Sequence, residues 1–292
     1  MTTTSLQAPG EAGEAPSAAT GQPAATAQPA APAYGEVLLT RDGVVATITL
    51  SHPGKLNALN IAMWLTLRHM LDDLSDDDSL RCVLLRGADG NFAAGADISE
   101  FPEQRGDLEG LLHYHDAILA PALQAVAQCK HPTVAAIQGV CVGGGLEIAA
   151  HCDLRIAARS SRFGVPINRL GFPMAPGEMQ GLLALVGRAV TLELLLEGRL
   201  LGADEAYAKG LLTRVVDDDA LLEEARRCVD RITAGAPLAA RINKETVRRL
   251  SPEAAPLTDA ERRDCFAYWN SSDHVEGVNA FLAGRKPVFT GR

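Results

Sequence analysis

The period of the apolar positions changes along the chain. Residues 37–39 and 44–50 are β-rich runs joined at Arg41-Asp42-Gly43, a pattern that predicts a hairpin. From 60 to 74 the apolar residues Met63, Trp64, Leu67, Met70, Leu71 and Leu74 recur at helical spacing. The acidic stretch 76–78 reads as a solvated link rather than a metal site, and residues 82–85 as a short buried strand. The alternation repeats with a helix over 108–127, a strand over 133–137 that runs into the Gly-rich loop 139–145, a helix from 146 to 150 and a strand over 154–157. Beyond about residue 178 the strand signal nearly vanishes, and 182–196, 203–209, 221–232, 238–250 and 273–282 all read as helices. The pattern predicts an α/β protein, a strand–helix core followed by a helical C-terminal third.

Composition narrows this picture. The 292 residues are 47% hydrophobic and 22% charged, ordinary for a chain with a sizeable core, but only 4% aromatic. That core must therefore be packed mainly with aliphatic side chains. A formal net charge of −9 argues against nucleic acid or an anionic membrane as the main partner. It leaves room for a small anionic ligand held by backbone N–H groups. Six cysteines, without any C-x-x-C pair, read as small buried hydrophobes in a reducing cytoplasm. Residues 1–33 are rich in Ala, Pro and Thr, contain no Lys or Arg, and read as a disordered tail rather than a targeting peptide. No segment is expected to span a bilayer.

The candidate chemistry begins at Gly139, in the run Gly-Val-Cys-Val-Gly-Gly-Gly-Leu-Glu that ends at Glu147. Glycines between a strand and a helix let the backbone turn sharply and present N–H groups at a helix start. A dinucleotide fingerprint starting at Gly143 would need glycine where Ile148 stands, and a phosphate-binding loop starting at Gly139 would need lysine where Gly145 stands. The loop is thus a backbone-donor site, or else a plain connecting turn. Glu147 falls in the first turn of a helix among Leu146, Ile148, Ala149 and Ala150. Apolar surroundings raise a carboxyl pKa and suit it to proton transfer, while the helix N-terminus pulls the other way. A second loop, Phe92-Ala-Ala-Gly-Ala-Asp-Ile98, also follows a short strand and has the small residues that let a ligand approach the main chain.

Together with Ser51-His52-Pro53, Lys55-Leu-Asn-Ala-Leu-Asn60, Cys152-Asp153-Leu-Arg-Ile-Ala157, Phe163-Gly164 and Arg285-Lys286, these motifs, in this order over about residues 36–290, resemble the enoyl-CoA hydratase/isomerase (crotonase) family. The resemblance implies a spiral of ββα units over 34–235 and, over 236–292, helices that mediate trimers or pairs of trimers. It implies an acyl-CoA thioester as substrate, with no metal or redox cofactor. The N–H groups of Ala96 and Gly144 would hold the thioester oxygen, where fixed dipoles stabilise the charge of an enolate. Coenzyme A would lie near Lys55, Asn57, Ala58 and Leu59 and along Ala94, Asp97 and Ile98. Lys286 would reach a neighbouring subunit's coenzyme A. A solvated surface charge is the alternative reading for Lys55 and Lys286.

Hydratases of this family use two glutamates. The first corresponds to Glu147. The second belongs to a Phe-Gly-x-Pro-Glu pattern that here reads Phe163-Gly164-Val165-Pro166-Ile167, so that acid is missing and Asn168 cannot replace it. Glu178 stands where the family usually has glycine, and is either a pocket acid or a helix cap. His113 and His115 lie on a helix that lines the acyl pocket in relatives, where one could serve as a general acid; both read as surface histidines. Hydration of an enoyl-CoA is the expected activity, ahead of double-bond isomerisation, then decarboxylation or hydrolysis. The rival from another class is a coenzyme-A-binding relative without turnover.

Overall fold

The computed structural model describes residues 34–104, 106–251, 258–264 and 266–290. The predicted tail, 1–33, lies outside the described residues. Ala33–Arg292 form one compact unit. The expected boundary at 235/236 falls in the short link between two helices of that unit, Leu221–Thr233 and Pro237–Leu250.

The predicted hairpin forms from β1 (Glu36–Asp42) and β2 (Val45–Ser51). Its strands run further than the pattern suggested, with Asp42 opposite Val45 across a two-residue turn at Gly43-Val44. Gly43 has φ of 55°, the left-handed start that tight hairpins favour and that glycine adopts without strain. The sheet then continues in parallel through β3 (Cys82–Gly87), β4 (Thr133–Ile137), β6 (Leu154–Ala158) and β9 (Arg214–Val216). All five residues of β4 are buried, as expected of a parallel strand covered on both faces. A smaller sheet joins β5 (Val140–Val142), β7 (Arg162–Gly164) and the two-residue β8 (Leu201–Gly202). Each of β4 and β6 is thus followed within a few residues by a strand of the second sheet, the repeat that the resemblance implied. The sequence pattern did not signal β5, β7, β8 or β9. Segments of two or three residues have no room for a period.

Helices fill the space between and beside the sheets. In α1 (Ile61–Asp76) the buried residues Met63, Trp64, Leu67, Leu71 and Leu74 form one stripe, and the Asn60 side chain caps the start by accepting from Met63 N at 2.8 Å. The predicted helix over 108–127 is α2 (Leu108–His113) and α3 (Ala120–Gln128), joined through a π-helical stretch at Tyr114–Leu119. Next, α4 (Gly144–His151) follows the Gly-rich loop, and all but its last residue are buried. The 22-residue α5 (Pro176–Glu197) breaks at Gly187, where φ is 69° and ψ is 177°.

By length and composition α5 is apolar enough to cross a membrane, so the expectation that no segment would be is corrected there. Only part of it is covered by the fold, with Leu183, Leu192 and Leu196 exposed. Glu178, Leu182, Thr191 and Leu194 are buried in the fold, and Glu193 pairs with Lys209 at 2.8 Å and with Arg199. The later helices follow their predicted spans closely: α6 (Ala203–Ala208), α7 (Leu221–Thr233), α8 (Pro237–Leu250) and α9 (Ser272–Leu282).

Five cysteines, Cys82, Cys129, Cys141, Cys152 and Cys228, are free and buried. Burial pushes the thiols of Cys82 and Cys152 up to about 12, so they stay protonated and act as packing groups. Cys265 lies outside the described residues.

The last helix is fitted closely onto the chain that precedes α5. Gly277 of α9 lies against the Leu170 carbonyl, in the 3-10 turn Pro166–Leu170, and a Cβ there would overlap it. Gly277→Ala should therefore lower unfolding stability by about 1–3 kcal/mol, read from the urea midpoint at constant m. An unchanged midpoint would show that α9 shifts without cost.

Candidate active site

Two glycine loops meet below the ends of β3 and β4. In the first, Phe92 N and Ala93 N both donate to Val140 O at 3.0 Å, and Val142 N returns a bond to Ala93 O at 3.0 Å. Residues 56–59 brace the other edge. Ala94 N donates to Leu56 O at 3.0 Å, Leu59 N to Gly95 O at 2.7 Å, and Asp97 N to Leu59 O at 2.8 Å. These bonds commit the main chain on both sides of Ala96, whose own N–H donates to no carbonyl among the described residues. In the second loop Gly143 N donates to Gly164 O at 2.9 Å, and Gly144 opens α4, where an N–H has no carbonyl one turn behind it.

Glycine makes the approach possible. Gly95 has φ of 102° and Gly143 φ of 52°, both strained for any side chain. A Cβ built on Gly144 would lie 3.7 Å from Ala96 N and 2.8 Å from Cζ2 of the buried Trp64. Two N–H donors, one from each loop, therefore stand at one crossing. Such a pair can hold an oxygen on which negative charge develops.

A cavity of about 380 Å³ opens onto this crossing. Ala94, Ala96, Ile98, Gly144, Glu147 and Glu178 line it, so the structure brings six of the sequence-predicted residues together. Glu147 is 5% exposed, as its apolar neighbours predicted. Ile167 lines the wall where a second glutamate would stand, while Asn168 turns away and donates from Nδ2 to Leu196 O at 2.9 Å.

His115 corrects the surface reading. It is 4% exposed, lines the cavity, and its Nδ1 is hydrogen-bonded to Glu178 Oε1. Glu178, 5% exposed, is thus a cavity acid rather than a simple cap. His113 is exposed, as expected. Sequence did hold a signal for His115. It lies four residues after Leu111 and four before Leu119, both buried, whereas His113 is out of phase with that stripe.

The remaining candidates stand outside the cavity lining. Lys55 Nζ donates to Asp97 Oδ2 at 2.6 Å and to Ser99 Oγ at 3.1 Å. Burial raises the Asp97 carboxyl, but the bonds from Lys55 and Ser99 outweigh it and hold the group below its ordinary range. Asn57 is spent on the fold. At φ of 58° it accepts from His52 N at 2.9 Å and donates to Ala88 O and Asn91 O at 2.8 Å each. Ala58 and Leu59 are buried, and Lys286 is exposed on the surface. Among the described residues no group of three or more His, Cys, Asp or Glu could hold a metal ion.

A family model described as enoyl-CoA hydratase/isomerase matches residues 40–292. The chain belongs to that family. Among solved structures this enoyl-CoA hydratase/isomerase family member is similar to an enoyl-CoA hydratase/carnithine racemase from Magnetospirillum magneticum. The two are 46% identical, with TM-score 0.73, over 88% of this chain and 96% of that one. It is also similar to a methylmalonyl-CoA decarboxylase in complex with 2-nitronate-propionyl-CoA, at 32% identity and TM-score 0.79 over 89% and 100% of the two chains. A curated relative, the short-chain-enoyl-CoA hydratase of Clostridium acetobutylicum, is 32% identical over 255 residues, 86% of this chain and 95% of the relative. The crotonase-like α/β fold expected from the motifs is the fold of these neighbours, and the chain is an enzyme of the hydratase/isomerase family.

The crossing sets a sharp test. Gly144→Ala keeps the N–H but presses a methyl group against the buried Trp64 ring, so the ring or the loop must shift. Acyl-CoA turnover should fall about 100-fold, the scale of an ångström-sized misplacement, with the circular dichroism spectrum retained. Wild-type turnover would show that the loops need not approach so closely.

Proposed function

We propose that this family member adds water across the double bond of an enoyl-CoA thioester. The observation that carries the reading is the crossing itself: the N–H groups of Ala96 and Gly144 stand together beside the buried carboxyl of Glu147 in one cavity. The thioester oxygen sits on the two N–H groups, which stabilise it as the C=C pair moves toward the carbonyl. Glu147 takes the proton of the attacking water. Coenzyme A arrives as part of the substrate, and the reading needs no resident cofactor. Relatives named as hydratases support it.

Ile167 favours a second reading. An apolar group at that wall leaves Glu147 as the one acid matched to the family pattern, which suits double-bond isomerisation, or the decarboxylation named for one neighbour. A panel of 2-enoyl-, 3-enoyl- and β-carboxyacyl-CoA substrates ranks these activities. Assembly of copies through the C-terminal helices is proposed alongside. Leu238, Ile242, Val247 and Leu250 of α8 are exposed apolar residues that a second copy would cover. A sedimentation mass equal to the single 30.8 kDa chain would contradict it.

Glu147→Gln should lower hydration of crotonyl-CoA by about 10²–10⁴-fold, the usual contribution of a positioned acid–base group, while crotonyl-CoA binding by calorimetry is kept. Free crotonate should not bind measurably. Full activity in Glu147→Gln would remove that carboxyl from the chemistry.

A further inference from the structure

The cavity that holds Glu147 also carries an acid–base pair, His115 with Glu178, that the family pattern does not contain. His115 and Glu178 come from different helices, meet through Nδ1 and Oε1, and are buried to 5% and 7% side-chain exposure. Both line the cavity that holds Glu147 and the two N–H donors. His115 sits within the π-helical stretch Tyr114–Leu119, a local widening of the helix that often marks functional sites. With Nδ1 engaged by the carboxylate, the tautomer is set and Nε2 is the nitrogen that exchanges protons. Nε2 is buried and has no hydrogen-bond partner among the described residues. A buried imidazole nitrogen without a protein partner is costly unless a ligand or solvent proton meets it there. Phe266 and Tyr114 pack around the ring at centroid distances of 5.4 and 5.3 Å and fix its plane.

We propose that His115, positioned by Glu178, is the second acid–base group of this site and exchanges the proton at the substrate's α-carbon, in place of the glutamate that Ile167 has displaced. The inference rests on the acyl-CoA reading above. Two carboxyl groups facing one substrate need one of them protonated beforehand. An imidazole held at Nδ1 and a carboxyl group differ in kind, so one can serve as donor and the other as acceptor. In hydration, Glu147 accepts a proton from water as the water oxygen bonds to the β-carbon, and the π pair moves to form the enolate on the two N–H groups. The enolate pair then forms the α C–H bond with the proton on His115 Nε2. One water has been added, and the proton left on Glu147 returns to Nε2 through solvent. Glu178 touches no reacting atom and serves as a positioning residue.

The test measures hydration of crotonyl-CoA, and exchange of the α-protons of butyryl-CoA in D₂O by NMR, in wild type, His115→Gln and Glu178→Gln. His115→Gln should lower kcat and α-proton exchange together by about 10²–10³-fold with KM little changed, since only the proton donor is lost. The pH–rate profile of His115→Gln should differ in shape from that of wild type. Glu178→Gln should lower kcat on the order of tenfold and alter that profile, which a merely structural partner would not do. Wild-type rates in His115→Gln, or lost hydration with exchange and the pH–rate profile intact, would overturn the assignment. If His115→Gln does not fold, an unaltered rate and pH profile in Glu178→Gln overturns it instead. Wild-type protein that exchanges α-protons but hydrates nothing would refute the hydratase reading alone, with exchange still testing His115. Neither reaction in wild type would remove the acyl-CoA reading and this inference with it.

Discussion

The site depends on the contact of two main chains that only glycine permits. A Cβ on Gly95 would lie 3.2 Å from Val142 O and 3.5 Å from Gly144 N, and one on Gly143 would lie 3.5 Å from Gly95 Cα. With both positions at positive φ, the loops after β3 and β4 touch backbone to backbone. Everything else holds that contact. The parallel pairing of β3 with β4 sets where the loops emerge, residues 56–59 tie down one loop, and β7 ties down the other through Gly164. Burial of β4 and the α1 stripe makes the platform stiff, because close-packed interiors yield little.

Because that region is fixed by backbone geometry, variation in chemistry has to come from the surrounding wall. Ile167, Leu170, His115, Glu178 and Phe281 are side chains on helices and turns, free to differ while the donor pair stays. Here the wall has lost a carboxyl at Ile167 and carries a His–Glu pair elsewhere. The two changes are in different elements, Pro166–Leu170 on one side and the π stretch with α5 on the other.

Long elements were legible in the sequence because they repeat a period many times. The stripe of α1 and the later helices needed nothing else. Strands β5, β7, β8 and β9 were not legible, because their pairing is decided by partners far along the chain, such as Val140 with Arg162 and Ile156 with Arg214. Around the cavity, the approach of Ala96 and Gly144 was readable because glycine and small-residue motifs record backbone demands directly, and the burial of Glu147 because its helical neighbours are apolar. His115 was misplaced by treating histidine as a surface residue when its helical phase with Leu111 and Leu119 put it inside. What the sequence did not show is that the Asn57 side chain ties its own loop to the carbonyls of Ala88 and Asn91.

Phe281, on the last helix, forms part of the cavity wall, while the donor loops belong to residues 92–98 and 139–147. The wall is drawn from distant stretches of the chain: Trp64, His115 and Leu119 precede the second loop, Ile167 and Leu170 follow it, and Phe281 comes from α9, which lies on the turn at Leu170. Any change in how α9 seats on that turn therefore reaches the cavity directly, without disturbing the backbone cradle.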